Sequence, residues 1–340
     1  SFVKINTKKI VAVCGPTSSG KSSLAVKIGQ KLNGEIVNID SVQLYRGLDI
    51  GSGKISSSEQ GGVPHHLIDI RNPDQNINVA QFITMAQNII SEIQLRGKIP
   101  ILVGGPSLYL KCLIHGLVDA PGEDAEYRTF LESLSTDELR AKLEQRDPEA
   151  SKKISYNDRN RTIRALEVIE NTGVPFSQLQ DEHGYKESPY DCLFLILCWS
   201  RDVLYKRIEH RCEQMVSEGI IKETEEIVSK YGTDILALKS IGYAQVLSYL
   251  AGHLSKEQLV KEMQIRTRQF AKRQLTFWRN QPSELGWKIR PDFNDSDGQI
   301  LPSKSPLKDE IKDFNVINLD FAQLLSESVN YLNRSETGHQ

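Results

Sequence analysis

Eight residues near the N-terminus, Gly15-Pro16-Thr17-Ser18-Ser19-Gly20-Lys21-Ser22, follow the pattern G-x-x-x-x-G-K-[ST]. Glycines at this spacing let backbone N–H groups turn inward on phosphate oxygens. A helix starting at Lys21 would add its positive end, and Lys21 itself a point charge. Ser22 is placed to share a Mg²⁺ ion with the bound phosphates. The pattern predicts a phosphate ester or diphosphate ligand without saying which. A kinase or ATPase would hold ATP there. A transferase would use the same cradle to stabilise a departing diphosphate, and a nucleotide-gated switch would do no chemistry on a second substrate.

A carboxylate, Asp40, follows the apolar run Ile36-Val37-Asn38-Ile39. At the carboxyl edge of a sheet such an acid can bind Mg²⁺, accept a proton from a nucleophile, or cap the next segment.

These groups need elements to hold them. Lys9–Cys14 (KIVAVC) reads as a buried parallel strand and Lys21–Leu32 as an amphipathic helix stopped at Asn33-Gly34. Strands over 35–39, 99–103 and 192–199 and a helix over 79–95 continue the alternation expected of a doubly wound α/β fold, a parallel sheet flanked by helices. From about Pro121 to Ser188 the chain is polar and charged, with helices expected at 129–146 and 158–171. It reads as a small all-helical domain inserted into a core made of residues 1–120 and 189–340. Long helices are expected at 202–230, 240–251 and 255–279. Residues 281–312 read as a flexible arm rich in Pro, Ser, Asp and Gly, and 314–319 and 321–332 as a last strand and helix.

Composition narrows the function classes. The 340 residues carry 42 basic and 44 acidic groups, a net charge of -2, so a uniformly basic nucleic-acid binder is excluded and any such contact must be a local patch. Lys261–Arg279 is one: six basic residues (Lys261, Arg266, Arg268, Lys272, Arg273, Arg279) against the single acid Glu262. RNA phosphates explain that excess better than a solvated face does, with Phe270 and Phe277 expected to pack inward. The five cysteines are scattered without a C-x-x-C pair, and His65-His66 lacks a third ligand at zinc spacing. No apolar run approaches the roughly 18 residues of a membrane span, and no signal-peptide pattern opens the chain, so a cytoplasmic protein with no membrane contact is expected.

Several stretches, in order from about residue 10 to 280, carry a specific resemblance. GPTSSGKS (15–22), DSVQLYRGLDIGSGK (40–54), VPHHLID (63–69) and ILVGGPSLYLK (101–111) resemble the tRNA dimethylallyltransferase family in its bacterial form. So do NDRNRTIRALEV (157–168), KSIGYAQ (239–245) and TRQFAKRQLTFWRN (267–280). The resemblance implies a P-loop NTPase-like fold and transfer of a dimethylallyl group from its diphosphate to N6 of adenosine 37, in tRNAs reading codons that begin with U. It implies Mg²⁺, a monomer, and the tRNA anticodon stem-loop as partner. An adenylate dimethylallyltransferase and a P-loop small-molecule kinase are the alternatives.

Carried over residue by residue, the resemblance makes Asp40 the base, Thr17 a catalytic neighbour of the departing oxygen beside Lys21, and Arg164 and Arg201 ligands of the diphosphate. It places Asp40, Ser41, Val42, Gln43 and Lys54 near the target base. It also makes Asn160, Arg161, Thr162, Ile163 and Arg164 a tRNA contact, along with Arg268, Lys272 and Arg273. On composition alone, Arg159, Arg161 and Arg164 would read as a solvated helix face. Two departures stand out: Pro106-Ser107 occupies the place of the threonine that contacts the target nucleotide, and Ile55 follows Lys54 where the family carries proline.

Overall fold

The structure is a computed structural model that describes residues 9–105, 125–173, 175–178, 191–197, 201–279, 287–292 and 299–302. It divides into two compact units. One comprises Ser1–Asn76, Ile89–Pro106 and Tyr190–Gln340, and the other Ile77–Asn88 and Ser107–Pro189.

Among the described residues the first unit is built on seven strands. β1 (Lys9–Cys14) is buried along its whole length, as expected for an apolar, β-branched strand covered on both faces. Full burial of Ile10, Val11 and Val13 stabilises the sheet by about 1.5–3 kcal/mol per side chain. α1 (Lys21–Leu32) buries Leu24, Ala25 and Ile28 and ends on Asn33 in the left-handed conformation. It is followed by β2 (Glu35–Asn38), the two-residue edge strand β3 (His65–His66), α2 (Val79–Leu95), of which the part up to Asn88 is counted with the other unit, and β4 (Pro100–Gly104). β5 (Asp191–Leu197) completes the centre of the sheet.

The strand order is β3-β2-β4-β1-β5-β6-β7, with β6 (Trp287–Asp292) parallel to β5 and β7 (Gln299–Pro302) antiparallel to β6. These last two strands correct the reading of 281–312 as a flexible arm: the described part of that segment extends the sheet. The expected strand at 314–319 and helix at 321–332 lie outside the described residues. β1 sits between β4 and β5, each parallel to it, so the turn after β1 opens where the chain leaves the sheet in both directions.

The second unit is helical. α3 (Ala125–Ser133), α4 (Thr136–Arg146), α5 (Pro148–Lys153) and α6 (Arg159–Thr172) enclose a core of Leu131, Leu139, Leu143, Ala150, Ile154, Ile163, Leu166 and Ile169. The single helix expected over 129–146 is broken, because Ser135 starts α4 with a reciprocal capping box to Glu138. Asp147, almost fully buried, caps α5 at Ala150 N and also accepts from Ser177 N at 2.8 Å.

Back in the first unit, α7 (Arg201–Glu218), α8 (Ile220–Tyr231), a 3₁₀ turn at Leu236–Lys239, α9 (Tyr243–Leu250) and α10 (Lys256–Arg279) complete the fold. The helix expected over 202–230 is two helices, because Gly219 joins them at φ 112°, outside the helical region.

Candidate active site

The site grows from the turn after β1. Gly15 is pressed between Ser19 and β5: an added Cβ would lie 2.6 Å from Ser19 Oγ and 3.0 Å from Leu197 Cβ. Ser18 takes a positive φ of 62° and Gly20, the N-cap of α1, a φ of 83°. That alternation turns successive backbone N–H groups toward one concavity. Lys21 crosses it and donates from Nζ to Pro16 O at 3.4 Å. Burial lowers the pKa of the Lys21 ammonium, while the charges of Asp40 and Cys14 oppose the drop. The Cys14 thiol, at the end of β1, is pushed up to about 12 by burial.

Asp40 stands two residues beyond β2, and β2 is separated from β1 by β4 alone. Two inter-strand spacings amount to about 10 Å, which sets the acid and the phosphate turn along one edge of the sheet. Asp40 Oδ1 accepts from Val42 N at 2.8 Å and from Gln43 N at 3.0 Å, closing a local turn. Gln43 in turn donates from Nε2 to Ser52 O at 3.0 Å. Ser41 is exposed and Val42 partly so. Upstream, the buried Asn38 side chain donates to Leu67 O, where Leu67 holds a positive φ of 62°.

Lys54 corrects the sequence reading. Its ammonium donates to Tyr45 O at 2.9 Å and to the carboxylates of Asp49 at 2.7 Å and Asp69 at 2.5 Å, and its side chain is 5% exposed. All three of its donors are spent on the protein, so Lys54 shapes the loop and presents nothing to a nucleic acid.

The same loop is held from the other side by residues that the sequence reading did not single out. The Glu223 carboxylate on α8 accepts from the backbone N–H groups of Asp49, Ile50 and Gly51 at 2.9–3.2 Å. It also accepts from the Tyr243 hydroxyl at 2.6 Å. Tyr243 is fully buried, its pKa raised by that burial and by the neighbouring Glu223 charge. Gly51 lies flat on the Tyr243 ring, where an added Cβ would come within 2.5 Å of a ring carbon. Gly242-Tyr243 falls within KSIGYAQ, whereas Glu223 sits in a helix whose charge pattern is that of any solvated face.

Two further groups reach the phosphate turn. Arg207 on α7 donates from Nε to Ser18 O at 2.8 Å. Gln274 on α10 accepts from Thr17 N at 3.3 Å and is buried. Arg201, the expected diphosphate ligand, is exposed, and its guanidinium lies 5.2 Å from the Tyr205 ring centre. Arg268 approaches the same ring at 5.9 Å and pairs with Glu209 at 3.0 Å. Lys272 and Arg273 are exposed on α10. So is Phe270, at 38%, with the Arg273 guanidinium 5.8 Å from its ring centre, which corrects the expectation that it packs inward. The side chain of Phe277 lies outside the described residues, as do Pro106 and Ser107.

In the helical unit, the expected contact segment separates by burial. Asn160 and Arg161 are exposed and Arg164 is half-buried. Thr162 and Ile163, at 1% and 3% exposure, point into the core, so their side chains do not face a ligand. Arg159 is structural, donating to Glu132 O, Leu134 O and Thr136 Oγ1.

His66 Nε2 lies 2.9 Å from Glu35 and His65 Nδ1 2.7 Å from Val63 O, the structural roles expected of them. Among the described residues no group of three or more His, Cys, Asp or Glu side chains is placed to hold a metal, and no helix is long and apolar enough to cross a membrane.

Known proteins bear on this geometry. The profile of the IPP transferase family matches residues 43–281. A tRNA dimethylallyltransferase 1 from Trichlorobacter lovleyi is 43% identical over 289 residues, covering 84% of this chain and 94% of its own length. A tRNA dimethylallyltransferase from Geobacter sulfurreducens is 44% identical over 293 residues, with 85% and 94% covered. The crystal structure of the full-length tRNA isopentenylpyrophosphate transferase from Bacillus halodurans superimposes with a TM-score of 0.63 at 34% identity, covering 96% and 95% of the two chains. A eukaryotic dimethylallyltransferase acting on tRNA gives 0.61 at 32% identity, with 79% and 69% covered. With a G-x-x-x-x-G-K-S turn and an acid on one sheet edge, and a profile match over most of its length, the chain belongs to the IPP transferase family.

Proposed function

We propose that the chain transfers the dimethylallyl group of dimethylallyl diphosphate to N6 of adenosine 37 in tRNAs that read codons beginning with U. One observation carries the reading: the turn that holds Lys21 follows β1 and Asp40 stands two residues past β2, so both lie along one edge of the parallel sheet with β4 alone between their strands. That placement supports a cation for the leaving diphosphate and a carboxylate for the proton acting in one site.

The balance of the reaction follows. The lone pair of adenine N6 is delocalised into the ring and weakly nucleophilic, so it needs a base as it attacks the allylic carbon. The N6–C bond forms, the C–O bond to diphosphate breaks, and the N6 proton passes to Asp40. Asp40 Oδ1 is committed to the turn at Val42 and Gln43, so Oδ2 is the atom assigned to the proton. Negative charge developing on the diphosphate is met by Lys21 and by the turn's remaining backbone N–H groups, since Pro16 has none and those of Thr17 and Ser19 are bonded within the protein. Arg207, already on the turn at Ser18, is the arginine we assign to this role ahead of Arg201. Thr17 stands beside the departing oxygen.

A Mg²⁺ ion fits this donor set. Ser22 offers a hydroxyl at the second position of α1, and Ser18 Oγ is buried without a hydrogen-bond partner among the described residues, as expected of a cradle shaped for polar company. When bound, the ion would neutralise diphosphate charge. An adenine in an anticodon loop must leave its stack to reach Asp40. The exposed Lys272 and Arg273 of α10, with Arg268 beside them, are assigned to the RNA backbone, and Asn160 and Arg161 of α6 to the same partner.

The test incubates the full chain with unmodified tRNA, Mg²⁺ and either dimethylallyl diphosphate or ATP, followed by nucleoside analysis. Prenylated N6-adenosine formed only with dimethylallyl diphosphate is expected. ATP consumption without a prenylated nucleoside overturns the reading.

A further inference from the structure

Gln274 occupies an unusual position for a helix residue. It follows the exposed Lys272 and Arg273 on α10, yet its own side chain is turned inward and is 6% exposed. The amide oxygen accepts from Thr17 N at 3.3 Å, inside the phosphate turn. The amide nitrogen faces the chain as it leaves β4: a Cβ added at Gly105 would lie 2.5 Å from Gln274 Nε2, and Gly105 also approaches Gly15 O. One side-chain amide is thus clamped between the turn that grips phosphate and the strand end beside it, on the helix whose outer face is basic.

We infer that Gln274 is a positioning residue through which RNA held on α10 fixes Thr17 and tightens the diphosphate cradle. This rests on the function proposed above. The physical reason is preorganisation. Phosphate binding requires the turn to hold its N–H groups in one arrangement, and any ordering already supplied by the helix need not be supplied by the ligand. RNA on Lys272 and Arg273 restrains α10, Gln274 transmits that restraint to Thr17 N, and the diphosphate binds more tightly. Linkage makes the effect reciprocal: the diphosphate strengthens RNA binding by the same factor. Either partner alone leaves the other site looser.

The experiment measures the dissociation constant of dimethylallyl diphosphate by calorimetry on the full chain. It is done with and without an anticodon stem-loop bearing unsubstituted purine at position 37, which lacks N6 and cannot be alkylated. The wild-type protein is expected to bind the diphosphate about fivefold or more tightly with the stem-loop bound. Gln274→Met keeps the side-chain volume and removes the acceptor, and is expected to bring that ratio close to one.

Gly105→Ala attacks the same contact from the other side. The new methyl would displace the end of a flexible side chain, so this variant is expected to fold and to lose the ratio as well. It decides the matter if Gln274→Met melts early. A wild-type ratio of one, or a folded variant that keeps the wild-type ratio, overturns the inference. So does a variant that weakens both separate affinities while leaving the ratio unchanged, since that marks a merely structural side chain. Failure of the wild-type protein to bind the diphosphate or to alkylate unmodified tRNA would instead overturn the proposed function.

Discussion

The two oxygens of Asp40 have different work, and that division can be tested. Oδ1 closes the turn at Val42 and Gln43, whereas Oδ2 accepts no hydrogen bond among the described residues. Asp40→Asn can keep an acceptor oxygen for the turn but cannot take a proton. Single-turnover transfer by Asp40→Asn should fall by about 10²–10⁴-fold with tRNA affinity near wild type. Asp40→Ala should lose transfer too, and tRNA affinity as well, because the turn that carries Ser41–Gln43 loses its closure. Equal tRNA affinities in the two variants would show that the turn does not depend on Oδ1. The position of Asp40 was legible, since an acid just past an apolar run must lie at a sheet edge. The role of Lys54 was not. Its type and motif suit a nucleic-acid contact, and only the folded loop brings Tyr45 O, Asp49 and Asp69 around one ammonium. Glu223, Arg207 and Gln274 escaped for the same reason: their bonds to Gly51, Ser18 and Thr17 span 172, 189 and 257 residues of sequence, and nothing local marks them.

Among the elements, helix existence was legible and helix interruption less so. The apolar spacing of 202–230 runs on through Gly219, because α7 and α8 both bury a face against the same unit. The backbone nevertheless breaks there, at φ 112°. A side chain at that position meets little, the nearest atom to an added Cβ being Ile50 Cδ1 at 3.9 Å. The cost of Gly219→Ala is therefore conformational, about 1–3 kcal/mol of unfolding free energy in urea. An unchanged midpoint would mean that α7 and α8 can merge into one straight helix. The break matters for the site, since α8 sets Glu223 under the loop that carries Asp49–Gly51. At the other helix break, Ser135 caps α4 reciprocally with Glu138, a signal that the reading of 129–146 as one helix did not use. β6 and β7 were missed because their Pro and Asp content, and the Gly and Ser around them, resemble loop composition, and their pairing with β5 and with each other has no local signature.

For the molecule as a whole, the alternation of strands and helices made a doubly wound α/β sheet legible, but not the order of its strands. What periodicity could not supply is the ionic fastening of its far edge. Glu35, at the start of β2, accepts from Arg96 at 2.8 Å and faces His66 at 2.9 Å. Burial pushes its carboxyl upward, but the hydrogen bonds and charges of His66 and Arg96 outweigh it and hold the pKa below the usual range. A carboxylate with a depressed folded value contributes stability that is complete above its unfolded value of about 4.3 and is lost as pH falls through the folded one. Burial also lowers the pKa of His65. An imidazole held neutral in this way costs stability once the pH drops below its unfolded value of about 6.5. Urea midpoints should therefore fall from pH 7 to pH 3.5. Arg96→Ala should lower the midpoint at pH 7 by about 1 kcal/mol equivalent, a modest figure because Arg96 is nearly half exposed, and should flatten the acid limb. An acid limb identical to wild type would remove Glu35 from the account.

The thiol at the end of β1 has a consequence for an enzyme that handles an allylic electrophile. Thiolates are far better alkyl acceptors than an exocyclic amine, and Cys14 stands at the end of β1, immediately before the Gly15–Ser22 turn. With its pKa pushed to about 12 and its side chain sealed in the sheet, sulfur stays protonated and out of reach. Burial of a single strand terminus thus keeps a nucleophilic sulfur beside the turn in its unreactive, protonated form.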